Sequence, residues 1–223
     1  PSALLDPAFS LAFDDLLGSV GGVSPYSDAV LDLRRRYVNL KTDSDVVARA
    51  VHAATIDLLT PDADGTVDVT AALSGEPASA HAYADLAALL GRSSGVPTRR
   101  HFGLLANDAG ESVVHAWVDY FIPTVGWVPA DPALGDGMWT EDIASLTTFY
   151  GEDRANRTFG RLDGRRITLV VDGTFPPRVF PGGALLEPNE RFVAGSTRVE
   201  FPFAEIPDTV TVRWEVPTII ARF

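Results

Sequence analysis

The sequence predicts an α+β fold, in which helices fill the N-terminal half and an antiparallel sheet fills the C-terminal half. Two stretches between residues 43 and 92 repeat apolar residues at helical spacing, whereas the stretch 111–122 alternates with the period of a strand. The strand patterns follow the helices instead of alternating with them, which favours an antiparallel sheet over a parallel one. We predict a single domain over 1–223, with core motifs in 43–135 and a strand-rich part in 136–223.

Composition and charge narrow the class of protein. Of the 223 residues 46% are apolar and 22% are charged, which is typical of a globular domain. No apolar run approaches the roughly 18 residues of a membrane span, and the N-terminal residues lack the pattern of a signal peptide. The net charge of −12 argues against nucleic acid and anionic membranes as partners. We therefore expect a soluble protein and favour the cytoplasm over other compartments, but the compartment and the oligomeric state stay open.

The reactive side chains are few. The chain has no cysteine, which excludes disulfides, thiolate metal sites and a cysteine nucleophile in the chain as written. None of its four histidines pairs with another at the spacing of a helical zinc site. An acidic stretch at 60–70 has neither the ligand spacing nor the closing Glu of a calcium loop, so we interpret it as a solvated turn. We expect no metal and no cofactor.

Three or four helices are predicted in the first half of the chain, and three of them have clear boundaries. The first starts at Ser27, and the second spans 43–59 with Asp43 or Ser44 as its N-cap. The third spans 80–92, with Ser79 as its N-cap and with Gly95 and Pro97 after its end. Its apolar positions fall at i, i+3, i+4 and i+7 and are occupied by Tyr83, Leu86, Ala87 and Leu90. Because this helix is rich in alanine, we predict that it is central and buried.

The second half carries strand patterns. The stretch 111–122 has one apolar face and one mixed face, and the mixed face carries His115 and Trp117. A short strand over 126–132 is ended by Asp131 and Pro132. It forms a hairpin with the strand at 111–122. Further strand patterns occur at 165–171, 198–203 and 209–216. We predict a sheet of roughly five or more strands, with a cleft between the start of the third helix and the hairpin.

The order of these elements is typical of a nucleophile–His–acid triad. A helix start is followed by His115 on a strand and by Asp131 at the end of the next strand. A helix N-terminus carries unpaired amides and a partial positive charge, which favour a thiolate and stabilise an oxyanion. A histidine takes and returns the proton, and a carboxylate orients the imidazole. At the helix start, however, stands Ala80.

Linked motifs resemble the bacterial transglutaminase-like superfamily. They are Ala84-Asp85-Leu86, Gly95-Val96-Pro97-Thr98-Arg99, His115-Ala116-Trp117-Val118-Asp119, and Gly126-Trp127-Val128 with Asp131-Pro132. The family has a Cys four residues before the first motif, which is position 80 here. The resemblance implies a papain-like fold, a triad completed by His115 and Asp131, and acyl transfer or hydrolysis on peptide, protein or small amide substrates. It implies no cofactor.

Each site residue also has a simpler interpretation. Ser79 is one residue, or about 100°, away from the nucleophile position and is better explained as an N-cap. We expect His81 at an exposed cleft rim, and Trp117 and Trp127 as walls of the core and pocket. Ala80 is either an engineered replacement of Cys or the residue of a natural pseudoenzyme. The chain is accordingly either an inactivated thiol acyltransferase or amidase, or a non-catalytic module that binds peptides or amides.

Overall fold

The computed structural model describes residues 16–39, 41–109, 111–139, 143–172, 190–194 and 197–201. The helices are α1 (Asp28–Leu33, continued by a π-helical turn over Arg34–Val38), α2 (Ser44–Leu58), α3 (Val69–Leu73), α4 (Ala80–Ser93), α5 (Pro132–Gly135), α6 (Ala144–Tyr150) and α7 (Arg154–Arg157). The strands are β1 (Pro61–Thr66), β2 (Thr98–Ala106), β3 (Ser112–Ile122), β4 (Gly126–Ala130), β5 (Arg166–Val171), β6 (Glu190–Ala194) and β7 (Thr197–Phe201). The strand predicted at 209–216 lies outside the described residues.

Helix α4 is the centre of the hydrophobic core, as its alanine content predicts. All 14 of its residues are buried. It packs against α2 on one side and against β2 and β3 on the other. Small side chains allow this close approach from several directions at once, because an alanine adds only a methyl group to the helix surface. The start of α4 is therefore held rigidly by its surroundings.

The main sheet has four antiparallel strands in the order β4–β3–β2–β5. Strands β3 and β4 form the predicted hairpin, with Val118 opposite Ala130. Phe102 on β2 stacks on a ring of α4, so it marks the face of the sheet that α4 covers. Ala116 is opposite Phe102 and shares that face, whereas His115 and Trp117 lie on the other face because side chains alternate along a strand.

One expectation from the sequence is wrong, and one strand was missed. The stretch 60–70, interpreted as a solvated turn, contains β1 and the start of α3. Strand β2 was not predicted, because its basic start hides an apolar strand pattern. Among the described residues the main sheet has four strands, and β6 and β7 form a separate two-stranded ladder. The predicted strands at 165–171 and 198–203 correspond to β5 and β7.

The contact between α4 and the sheet depends on a glycine. A Cβ atom at Gly91 would lie 2.2 Å from Thr98 Oγ1 and 3.4 Å from the ring of Tyr120. The Thr98 hydroxyl is buried and donates to the Val96 carbonyl at 2.9 Å, so it is not free to rotate away. The helix and the sheet would have to separate to admit a methyl group.

Gly91→Ala is therefore expected to lower the free energy of unfolding by about 1–3 kcal/mol, the usual cost of overpacking. Urea unfolding followed by circular dichroism measures this. Gly164→Ala is the matched control, because a Cβ there meets nothing within 4 Å. We expect it to change stability by less than about 0.5 kcal/mol. Equal effects of the two changes would show that α4 and the sheet tolerate separation.

Candidate active site

The structure joins the predicted histidine and acid in a buried pair. His115 Nε2 lies 2.7 Å from Asp131 Oδ2, and both side chains are completely buried. Strand β3 carries His115, and Asp131 follows directly after β4. The backbone N–H of Asp131 donates to the Thr158 carbonyl at 2.9 Å, which holds the end of β4 in place. The hairpin thus brings the two side chains into hydrogen-bond contact.

Asp131 accepts hydrogen bonds from three donors. Besides His115, the backbone N–H of Leu134 donates to Oδ1 at 2.9 Å, which makes Asp131 the N-cap of α5. The Arg166 guanidinium donates to Oδ2. Burial alone would raise the pKa of Asp131, but His115 and Arg166 outweigh burial and hold it well below its usual range. Asp131 is therefore an ionised carboxylate.

Arg166 is a site residue that the sequence did not reveal. Its guanidinium joins Asp131 to Asp163, with Nη2 at 2.8 Å from Asp163 Oδ2, and its side chain is 5% exposed. Burial would lower the pKa of Arg166, but the two carboxylates outweigh burial and raise it. The phenol of Tyr150 donates to Asp163 at 3.0 Å. In the sequence Arg166 stands at the start of a strand pattern, and no neighbouring residue indicates that it belongs to the site.

The hydrogen bonds define the protonation of His115. A carboxylate only accepts, so Nε2 carries the proton that is shared with Asp131. An indole N–H only donates, and Trp139 Nε1 lies 3.2 Å from His115 Nδ1. Nδ1 is therefore the basic nitrogen, with its lone pair directed at Trp139. This second residue at the site was also missed, since no motif contains Trp139.

The predicted nucleophile position lies at the first residue of α4. Ala80 is 2% exposed and belongs to the same core cluster as Ala133 and Met138, on and just after α5. One turn further along α4, the Tyr83 hydroxyl donates to the Asp136 carboxylate, which follows α5 directly. The start of α4 is thus tied to the short helix that Asp131 caps.

Ser79 occupies the N-cap position of α4, as predicted, but the expected capping bond is absent. Its backbone is extended and its side chain makes no cap hydrogen bond. The hydroxyl is buried without a hydrogen-bond partner among the described residues. The segment is held through its backbone instead, because Thr66 N–H donates to the Pro77 carbonyl at 2.8 Å and Ser79 N–H donates to the Thr66 carbonyl at 3.0 Å.

The prediction that His81 is exposed at a cleft rim is wrong. The side chain is buried, and its ring stacks on Phe102 with the centroids 4.6 Å apart. The physical reason is that α4 is enclosed on all sides, so its second residue has no access to a rim. His81 lies on the α4 side of the sheet, and His115 lies on the opposite face.

The two tryptophans predicted as walls have different surroundings. Trp117 is buried and stacks between His101 and His115, with ring centroids at 5.5 and 6.3 Å. Trp127 is half-buried and packs edge-on against Phe121 at 5.2 Å. Of these two tryptophans, Trp117 packs against the His115 ring, whereas Trp127 packs near the turn of the hairpin.

Arg99 and His101 form a second ion-pair cluster on the same face. Arg99 donates to Asp119 Oδ2 at 2.7 and 2.9 Å, and His101 Nε2 lies 2.9 Å from the same oxygen. Burial would raise the pKa of Asp119, but His101 and Arg99 lower it. The Arg99 guanidinium also lies 4.2 Å above the Trp127 ring. These contacts anchor the start of β2 to β3.

Part of the chain matches a known protein family. Residues 34–132 match the sequence model of the transglutaminase-like superfamily. These residues resemble a transglutaminase-like core. This core contains α2, α4 and the strands β2–β4, and it includes Ala80, His115 and Asp131. The match agrees with the resemblance predicted from the linked motifs, and the helices and antiparallel sheet confirm the predicted α+β fold.

A solved structure resembles part of this chain only distantly. It is described as "a putative cysteine protease" from Cytophaga hutchinsonii, with 15% sequence identity and a TM-score of 0.47. The match covers 60% of this chain and 44% of that protein, so the chain corresponds to less than half of the neighbour's length. No curated protein sequence matches the chain.

Two further properties concern the described part of the chain alone. Its helices include none that is long and apolar enough to cross a membrane. The same residues contain no group of three or more His, Asp or Glu side chains that could hold a metal ion.

Proposed function

We propose that this chain is a cysteine-free form of a thiol acyltransferase or amidase that acts on peptide, protein or other carboxamide groups. Position 80 is the place of its nucleophile. The observation that carries the proposal is the buried His115–Asp131 pair, in which the carboxylate holds Nε2 and leaves Nδ1 as the proton acceptor. A general base with a fixed tautomer is what a thiol nucleophile needs.

The chemistry follows the triad logic for a Cys at position 80. His115 lies on the face of the sheet away from α4, but its Nδ1 contacts Trp139, which also packs against the cluster that contains Ala80. The thiol proton passes to this Nδ1 while the sulfur attacks the amide carbon. The C–N bond then breaks, the proton returns to the departing amine or ammonia, and a thioester remains. Water or a second amine attacks the thioester and restores the thiol. The first-turn amides of α4 stabilise the oxyanion, because a helix N-terminus presents unpaired N–H groups.

Ala80→Cys tests this proposal. We expect the introduced thiol to react with iodoacetamide about tenfold or more faster at pH 6 than an ordinary thiol, because a thiolate–imidazolium pair lowers its pKa. Ammonia release from a glutaminyl peptide should accompany the alkylation. The reactivity is measured as the alkylation rate from pH 4 to 9.

Ser79→Cys is the matched control for that experiment. It places a thiol in the same buried segment one residue before the helix, where the backbone is extended and directs the side chain differently. We expect its alkylation to follow the pH profile of an unperturbed thiol. Equal profiles for the two variants would contradict the assignment of position 80.

A second candidate function is a natural pseudoenzyme that binds a peptide or amide without reacting. One observation favours it: the Trp139 indole N–H already donates a hydrogen bond to His115 Nδ1. Both ring nitrogens of His115 therefore have hydrogen-bond partners without a thiol. An inert Ala80→Cys variant, together with an alanine codon in the native gene, would support this function over the first.

A further inference from the structure

Trp139 has an unusual backbone conformation and a central position. Its φ angle is +63°, in the left-handed region that bulky residues seldom adopt. Its side chain packs against both hydrophobic clusters, the one that contains Ala80 and the one built around Leu105, Leu134 and Tyr150. Such a backbone conformation persists only where surrounding contacts impose it. The position of Trp139 is therefore set by its tertiary contacts and not by local preference.

The contact with His115 has a chemical consequence. Nε2 is committed to Asp131, so Nδ1 is the nitrogen that remains to take a proton. A ring nitrogen of this kind has one lone pair, and the Trp139 N–H occupies it at 3.2 Å. Another donor cannot use the same lone pair while the indole is in place.

We propose that Trp139 is a positioning residue that holds the site closed by occupying the proton-accepting nitrogen of His115. Proton transfer from a thiol at position 80 requires that the indole N–H leaves Nδ1. The open state frees the lone pair and keeps the Nε2–Asp131 bond. No covalent bond of Trp139 changes. The catalytic consequence rests on the proposed function, whereas the closed hydrogen bond itself does not.

A purely structural role of Trp139 predicts a different experimental result. A buried indole needs some acceptor for its N–H, and any acceptor would satisfy it. In that case the removal of the N–H would loosen packing and would not change which nitrogen of His115 is free. The experiment therefore has to report on the imidazole itself.

The direct test is ¹⁵N NMR of the chain as it stands. We expect a scalar coupling across the hydrogen bond between the indole nitrogen of Trp139 and His115 Nδ1. Trp139→Phe keeps the ring and removes the donor, so the Nδ1 resonance should move toward that of an unbonded basic nitrogen while Nε2 stays protonated. Phe149→Leu is the matched control, because Phe149 packs in the same cluster without an N–H toward His115. It should leave both resonances in place.

Two results would overturn the proposal. One is the absence of the indole–imidazole coupling in the unsubstituted chain. This measurement does not depend on whether any variant folds. The other is an Nδ1 resonance that Trp139→Phe leaves unchanged or that Phe149→Leu moves equally.

The second test adds Trp139→Phe to Ala80→Cys. We expect the alkylation rate at pH 6 to rise about three- to tenfold over Ala80→Cys alone, which corresponds to the release of one hydrogen bond. A rate that falls or stays equal would refute the closing role. If Ala80→Cys is inert but the Nδ1 resonance responds to Trp139→Phe, the proposed function fails and the hydrogen-bonded closure stands.

Discussion

Replacing Asp131 by Asn in the Ala80→Cys variant is expected to slow amide cleavage about a thousandfold or more, the scale seen when a triad loses its carboxylate. All three partners of Asp131 are donors: His115 Nε2–H, the Leu134 N–H and the Arg166 guanidinium. An Asn side chain has one acceptor oxygen, and its NH₂ group would face at least one of these donors. His115 then loses the partner that holds its tautomer.

Ammonia release per folded molecule measures this effect, with the folded fraction taken from circular dichroism. Asp45→Asn is the control, because Asp45 is an exposed carboxylate that pairs with Arg49 on the surface of α2. We expect that control to keep the rate of Ala80→Cys. A rate for the Asp131→Asn variant within tenfold of its parent would mean that Asp131 does not orient the base.

Arg166→Met is expected to lower the free energy of unfolding by about 3–5 kcal/mol at pH 7, the usual cost of removing one partner of a buried ion pair. The guanidinium contacts Asp131 and Asp163, and both carboxylates are buried. Without it, two negative charges lie in the core with no cation between them. Guanidinium chloride unfolding measures the loss.

The loss should depend on pH in a defined direction. Burial would raise the pKa of Asp163 and of Asp131, but the Arg166 charge helps to lower both. A carboxylate with a lowered pKa contributes stability above its unfolded-state pKa of about 4, and the contribution fades as pH falls below that value. In Arg166→Met the lowering effect of the guanidinium is lost, so burial leaves the pKa of these carboxylates higher than in the original chain and they take up protons at a higher pH. The unfolded-state pKa is the same for both chains, so the stability difference between the original chain and Arg166→Met should shrink progressively as the pH falls from 7.

Arg35→Met is the control, because it removes a cation from an exposed ion pair instead of a buried one. Arg35 pairs with Asp32 on the surface, where both side chains are well over half exposed. Exposed pairs of this kind contribute about 0–1 kcal/mol, so the control should be close to neutral. If the two arginine variants were equally stable, the buried network would not support the fold.

The parts of the site that could be predicted from the sequence lie on continuous segments. His115 and Asp131 are separated by one hairpin, whose alternating pattern and turn residues are local signals. Position 80 is likewise given by a helix start and by its spacing from the motif at 84–86. For this reason the resemblance to the superfamily and the α+β fold were predictable without any structure.

The parts that were missed depend on contacts between distant segments. Arg166 reaches Asp131 across 35 residues, and Trp139 reaches His115 across 24. Their residue types carry no signal by themselves, since an arginine at a strand start is usually solvated. His81 was misplaced for a related reason: helical periodicity predicts one buried face, whereas packing encloses α4 on every side.

The sequence by itself determined the resemblance to the transglutaminase-like superfamily and the order of the proposed triad positions, with Ala80 at the first of them, because these depend on residue identity and local spacing. Only the tertiary structure decided the protonation of His115. Asp131, held by Arg166, takes one ring nitrogen, and Trp139 donates to the other. The physical reason is that a hydrogen bond depends on distance and direction in space, and these are set by how the sheet, α5 and the segment after it pack together.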